Sequence, residues 1–285
     1  MNLICKVCKN KNIRLWANKN SWNLYKCGEC GLIFTDENPK ISELYSKDYF
    51  KGAKDGFGYV DYDKDKLAMT GTFNFYLDKI EKIMPNRGSL LDIGAATGYF
   101  LKIARQRNWK VKGIEISDYA SQKAKTEGLD VITGTLENAN LADESFNVLT
   151  FFDVLEHFSD PKSQLLIANK ILKNSGLIII NTPDSNSLVA KILGRHWHLL
   201  IPPEHLVIFS LNNLSILLKS CGFEILLVNK IGKRFTLQYI FQISANWRRS
   251  ALLGKAAEFL KNNFLGSFSF PINLRDNFFI IAKKL

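Results

Sequence analysis

The stretch Leu90–Leu101, LLDIGAATGYFL, constrains this chain more than any other. Its apolar start has the length of a buried strand. Phe100, Ile103, Ala104 and Arg107 then fall at i, i+3, i+4 and i+7, so a helical face begins directly after a turn of small residues. Gly94 and Gly98 sit where the backbone must bend sharply, and where a ligand could approach because neither residue carries a Cβ. About 20 residues on, the strand-like run Val111–Ile116 contains the acid Glu115, which in a βαβ unit is placed to accept hydrogen bonds from ribose hydroxyls. The two features together read as a nucleotide-binding unit.

Alternating elements continue downstream. Ser117 and Asp118 cap a helix that runs to Gly128, Val131–Thr133 is a short strand, and Phe146–Asp153 is an almost wholly apolar one. Asp160-Pro161 opens another helix, closed at Asn174-Ser175-Gly176, and Leu177–Ile180 is the next strand. Ser210–Cys221 is a helix, with strands at Ile225–Val228 and Phe278–Ala282. Upstream, Phe73, Leu77, Ile80 and Met84 form the stripe of a helix over residues 67–84. This alternation predicts a parallel sheet covered on both faces, with ligands bound beyond the carboxyl ends of its strands.

The first 35 residues are of a different kind. Cys5-x-x-Cys8 and Cys27-x-x-Cys30 have the spacing of a four-thiolate zinc ribbon, in which two knuckles aim paired sulfurs at a tetrahedral metal. Four protein ligands fill the tetrahedron, so such a zinc is structural. Cys221 is left over as a buried thiol. The opening Met-Asn-Leu-Ile-Cys-Lys has no long apolar segment, and no later run reaches the roughly 18 apolar residues of a membrane span, so the expected location is the cytoplasm.

Residues 36–66 read as an aromatic connector, in which Tyr59 and Tyr62 are candidate neighbours of a cationic cofactor through cation–π attraction. Residues 184–209 are expected to be irregular, a lid on the acceptor side that carries His205. Residues 231–275 read as a helical insertion before the last strand. The net charge of +11 is concentrated there: residues 230–285 hold ten basic and two acidic side chains. The insertion could pack on the lid, dimerise or touch a membrane surface, and a basic surface is also compatible with nucleic acid or with plain solvation.

Taken in order, Leu91–Gly98, Glu115, Phe151–His157 before Asp160-Pro161, Leu172–Gly176, and Pro203–Leu206 followed by Cys221-Gly222-Phe223 resemble class I S-adenosylmethionine-dependent methyltransferases, nearest the ubiquinone-type and bacterial sugar-modifying branches. The resemblance implies a doubly wound, mostly parallel seven-stranded α/β sheet over residues 67–285, preceded by the ribbon (1–35) and connector (36–66). A four-cysteine ribbon ahead of such a domain is similar to sugar methyltransferases with a zinc-binding N-terminus. By position, Asp92, Gly94, Ala96 and Gly98 would surround the methionine portion of S-adenosylmethionine. Glu115, with Ile116 beside it, would hold the ribose, Thr135 and Leu136 would border the adenine, and Phe152 would flank the cofactor. Ala96 replaces the usual central glycine, and Thr135 replaces an acid often found beside adenine. A dinucleotide-dependent oxidoreductase would need Gly-x-Gly-x-x-Gly, which Ala96 and Phe100 break. For a hydroxyl acceptor, His157 or His205 is the candidate general base, imidazole being the side chain matched to neutral pH; each could instead order its own loop. The expected function is O-methyl transfer to a sugar or polysaccharide precursor. The alternatives are an RNA methyltransferase and a non-catalytic cofactor-binding subunit, and the oligomeric state is left open.

Overall fold

In the computed structural model the described residues are 3–39, 44–45, 47–50, 67–248, 250–261 and 263–285. The chain begins with β1 (Ile13–Lys19) and β2 (Trp22–Cys27), an antiparallel hairpin whose two turn residues, Asn20 and Ser21, both have positive φ. That turn matches the right-handed twist of the flanking strands. Then come β3 (Ile33–Phe34), α1 (Lys47–Phe50), α2 (Thr70–Ile83), β4 (Ser89–Ile93), α3 (Tyr99–Gln106), β5 (Lys110–Glu115), α4 (Asp118–Thr126), β6 (Val131–Thr133) and β7 (Phe146–Phe152). The second half runs α5 (Pro161–Ile171), β8 (Leu172–Pro183), α6 (Leu188–Leu193), β9 (Val207–Ile208), α7 (Leu211–Ser220), β10 (Phe223–Thr236), α8 (Leu237–Arg248), α9 (Ala251–Lys261) and β11 (Ser269–Lys284).

Seven strands form one sheet in the order β10-β11-β8-β7-β4-β5-β6. Pairs from β8 through β6 are parallel, and β11 runs antiparallel to both neighbours. Alternation along the strands divides the core. Leu90, Val148, Ile179 and Phe279 pack with α2, α3 and α4 on one face, while Leu91, Leu149, Ile178 and Ile280 pack with α5 and α7 on the other. This is the Rossmann-like methyltransferase architecture that the sequence implies.

The helix starts follow local chemistry. Ser117 accepts from Ala120 N, Asp160 accepts from the N–H groups of Lys162 and Ser163 ahead of Pro161, and Ser210 and Asn213 form a reciprocal capping box. Three segments differ from expectation. Helix α5 ends at Ile171, with Leu172 already extended at ψ 137°, so Asn174–Gly176 falls within the first part of β8, where Ser175 has positive φ and the pairing with β7 shifts register. Residues 184–209 hold structure of their own, namely α6, a 3-10 turn at Gly194–His196 and β9. Residues 231–275 are not purely helical either: the β10–β11 ladder continues to the pair Thr236↔Ser269, and α8 and α9 cap it. No described helix is long and apolar enough to cross a membrane.

The ribbon strands join a second sheet, β1-β2-β3-β9, whose last strand comes from residues 207–208. Thr35 N donates to Leu206 O, Lys19 Nζ to Trp197 O, Asn20 Nδ2 to Pro202 O, and Asn213 Nδ2 to Cys30 O. Cys5, Cys27, Cys30, Leu32 and Phe34 belong to the same core as α5 and α7.

At the opposite face Glu81 ties α2 to the end of α3. Its carboxylate accepts from Arg107, Arg87 and the Trp109 indole at 2.7, 3.0 and 3.1 Å. Burial pushes this carboxyl up, but the hydrogen bonds from Arg107 and Trp109 outweigh burial and hold it below its ordinary value. Because the folded-state pKa is depressed, the contribution is complete above the unfolded value and is lost as pH falls through the folded one. Glu81→Ala should therefore cost about 2 kcal/mol in urea unfolding near neutral pH, and its difference from the unmodified chain should shrink on acidification.

Candidate functional site

The sheet places four strand ends around one cleft. Ile93 ends β4 and Gly94 follows it, Glu115 ends β5 and Ile116 follows, Gly134 and Thr135 follow β6, and Phe152 ends β7 with Asp153 after it. β4 lies where the strand order reverses, the position at which open α/β sheets hold their ligands. The cleft encloses about 970 Å³ including its open mouth, and Leu136, Val154, His157 and Glu204 also line it.

The turn after β4 is built from left-handed backbone, with φ of +74° at Gly94, +48° at Ala96 and +81° at Gly98. Gly94 and Ala95 both donate to Ile114 O, at 2.9 and 3.0 Å, which pins the turn to β5. Glu115 is buried. One carboxylate oxygen accepts from Ala96 N at 2.7 Å and the other from Ser117 N at 2.8 Å. Burial pushes this carboxyl up, against backbone hydrogen bonds from Ser117, Ala96 and Ile116. A Cβ on Gly94 would stand 2.4 Å from Val154 Cγ2, and one on Gly98 would stand 2.2 Å from Leu129 Cδ1. Gly98 is therefore closely packed against Leu129, and it is not among the described residues that line the cleft.

A smaller recess adjoins the cleft through Gly94, Phe152 and Asp153. Asp92, Tyr76, Tyr99 and Asn181 line it. Asp92 accepts from Thr150 Oγ1 at 2.6 Å, and Asn181 Nδ2 donates to Asp153 at 2.7 Å. Phe152 is held edge-on against Phe100, with ring centroids 4.9 Å apart.

At the other end stand the imidazoles. His157 belongs to a 3-10 turn, Leu155–His157, beyond the end of β7 and not to the strand itself. Its Nδ1 lies 2.5 Å from Tyr45 Oη. Burial, followed by the carboxylates of Glu204, Glu115 and Glu156, pushes the Tyr45 phenol well above its ordinary value, so it stays protonated. His205 is buried and meets His157 edge-on at 4.9 Å between centroids. His205 Nδ1 lies 2.6 Å from Leu199 O, and since a carbonyl only accepts, that nitrogen carries a proton. Nε2 then faces Glu156 Oε1 at 4.0 Å, while Thr182 donates to Glu156 Oε2 at 2.8 Å. His205 does not itself line the cleft; it reaches it through His157. Glu156, His157 and His205 each bring a ligating atom within 4.8 Å of the others, which is also metal-ligand spacing.

Tyr59 and Tyr62 lie outside the described residues. Tyr45, Tyr49 and Phe50 of the same connector line the cleft. They were visible in sequence only as members of an aromatic run, and nothing in their spacing singled them out. Pro203 and Glu204, beside His205, were likewise legible only as neighbours.

Outside the cleft lining, Cys5, Cys8, Cys27 and Cys30 converge, with all four sulfurs within 4.8 Å of one another. Cys5–Cys30 and Cys8–Cys27 are 3.5 and 3.6 Å apart, and none is in a disulfide. Tetrahedral zinc with bonds of about 2.3 Å needs sulfurs about 3.8 Å apart, so the thiols fit that ion.

The fold and the site define an open α/β nucleotide-binding domain with its cleft at the switch point. Residues 70–228 match the family model described as a methyltransferase domain, and the chain belongs to that family. An uncharacterized protein of Methanocaldococcus jannaschii is 32% identical over 46% of this chain and 62% of its own length. A ubiquinone biosynthesis O-methyltransferase of Vibrio atlanticus is 26% identical over 46% of this chain and 58% of its own. The chain thus spans less than two-thirds of either relative. Two crystal structures share the fold: an S-adenosylmethionine-dependent methyltransferase from Archaeoglobus fulgidus (TM-score 0.50, 19% identity, 77% of this chain and 97% of that one), and a Pyrococcus horikoshii protein (0.51, 16%, 75% and 90%).

Gly98→Ala should cost about 2 kcal/mol or more in urea unfolding, combining left-handed strain with the clash against Leu129.

Proposed function

We propose that this chain is an S-adenosylmethionine-dependent methyltransferase acting on a hydroxyl of a sugar or polysaccharide precursor. What carries the reading is a single cleft with the Glu115-braced turn at one end and the His157–His205 pair at the other. Asp92, Gly94 and Ala96 would hold the methionine portion, Glu115 and Ile116 the ribose, Thr135 and Leu136 the adenine, with Phe152 alongside. When bound, S-adenosylmethionine supplies an already activated methyl group on its sulfonium. The chain's part is then to align the acceptor for in-line attack and to take its proton.

His157, which lines the cleft, is the better placed base of the two. His205 stands behind it: Leu199 O fixes the proton on its Nδ1, and its ring meets His157 edge-on. Tyr45, hydrogen-bonded to His157 Nδ1, would orient that ring toward the acceptor hydroxyl. Tyr45 and Glu204 add polar groups suited to a polyhydroxylated molecule, and the O-methyltransferase relatives support oxygen as the acceptor atom.

The assay is transfer of labelled methyl to a panel of nucleotide sugars, glycan precursors, phenols and RNA. Transfer to RNA, or cofactor binding without transfer to any acceptor, would replace this proposal with one of its rivals. Glu115→Ala should weaken S-adenosylmethionine binding in calorimetry by about tenfold to a hundredfold, the loss of charge-assisted hydrogen bonds. His157→Ala should lower kcat by about a hundredfold or more with cofactor affinity kept. Unchanged turnover in both His205→Ala and His157→Ala would remove the base from the proposal.

The four thiols are proposed to hold structural zinc, which would close the two knuckles and brace β3 against β9. Metal analysis should find one zinc per chain. Chelation should raise amide exchange at Ile33–Phe34 and Val207–Ile208 together; protection unchanged by chelation would sink the assignment.

A further inference from the structure

The segment between β10 and β11 lines neither the cleft nor its recess. α9 packs against α8 and against the 3-10 turn Phe264–Ser267. Its inner positions Ala257 and Leu260 are buried. Leu252, Lys255 and Phe259, at i, i+3 and i+7, form an outward stripe on which Leu252 is 77% and Phe259 65% exposed. Directly beyond α9, Phe264 is 74% and Phe268 54% exposed, their rings edge-on with centroids 6.1 Å apart. Leu265 and Leu274 are exposed as well. Such a concentration of apolar surface in one short segment is costly in water and marks a contact.

Charge identifies the contact. From Lys230 onward the chain carries ten basic and two acidic side chains, and one of those acids, Asp276, is buried against Trp197. Lys230 and Lys284 are paired with Asp184 and Glu144, while Lys255 and Lys261 are exposed on α9 itself, where Glu258 is an exposed acid between them. A second copy would set one basic segment against another. Nucleic acid would neutralise the lysines but leave the leucine and phenylalanine side chains in water. An anionic bilayer satisfies both, taking the apolar stripe into the headgroup boundary while its phosphates face the lysines. We propose that the α8–α9 tip is a docking surface for anionic lipid membrane. Under the methyl-transfer reading above, this would present the cleft to an acceptor held at the membrane surface; the docking itself does not rest on that reading.

The test is co-sedimentation of the full chain with phosphatidylcholine vesicles, with or without added phosphatidylglycerol. Binding is expected only to the anionic vesicles. The triple variant Leu252→Ser, Phe259→Ser, Phe264→Ser should reduce it about tenfold or more, and Lys255→Glu with Lys261→Glu should do so most at low salt. All five positions are exposed, so thermal unfolding should not change and serves as the folding control. No vesicle binding, equal binding to neutral vesicles, or binding unaffected by these variants overturns the proposal. So does a concentration-dependent dimer that the apolar variants abolish. Because no step measures methyl transfer, failure here leaves the catalytic reading untouched, and the reverse holds.

Discussion

The cleft depends on one carboxylate reaching one backbone amide. Glu115, at the end of β5, accepts from Ala96 N in the middle of the turn that follows β4. That bond can form only because the turn is left-handed at three alternate residues. Two are glycines; the third is alanine, which carries a Cβ into that region at a cost of about 1 kcal/mol. The bond holds the loop against the neighbouring strand, and the same group faces the cleft. Scaffold and binding surface are therefore not separable at this point.

The parts legible in sequence were those specified by neighbours along the chain. The Leu90–Leu101 stretch, the caps at Ser117, Asp160 and Ser210, and the two cysteine knuckles each follow from residues a few positions apart. Alternating apolar runs then gave the layered parallel sheet, because a strand buried on both faces can be little else. The imidazole end of the cleft was less legible. Tyr45 beside His157, and Leu199 O against His205, are long-range or loop contacts with no periodicity to announce them. The helical insertion was half right for a similar reason: long antiparallel ladders such as the one ending at Thr236↔Ser269 are set by the partner strand rather than by local pattern.

The two histidines are distinguished by their partners. Leu199 O can only accept, which fixes the proton on His205, whereas the Tyr45 hydroxyl can donate or accept a hydrogen bond and leaves the His157 tautomer adjustable. A rigid imidazole beside an adaptable one is an arrangement that can pass a proton while keeping its geometry. The connector takes part as well, since it supplies the phenol.

The pairing of Ile33 with Ile208 has a consequence for how the chain folds. The ribbon's third strand meets its sheet partner only after most of the nucleotide-binding domain has been made, a contact of very long sequence separation and high loop-closure cost. During synthesis β3 would wait with an open edge, liable to pair with another chain. Closing the thiols early around a metal would shorten the loops of the waiting ribbon and hold that edge in register. In this protein the first forty residues can be the first to order and among the last to find their place.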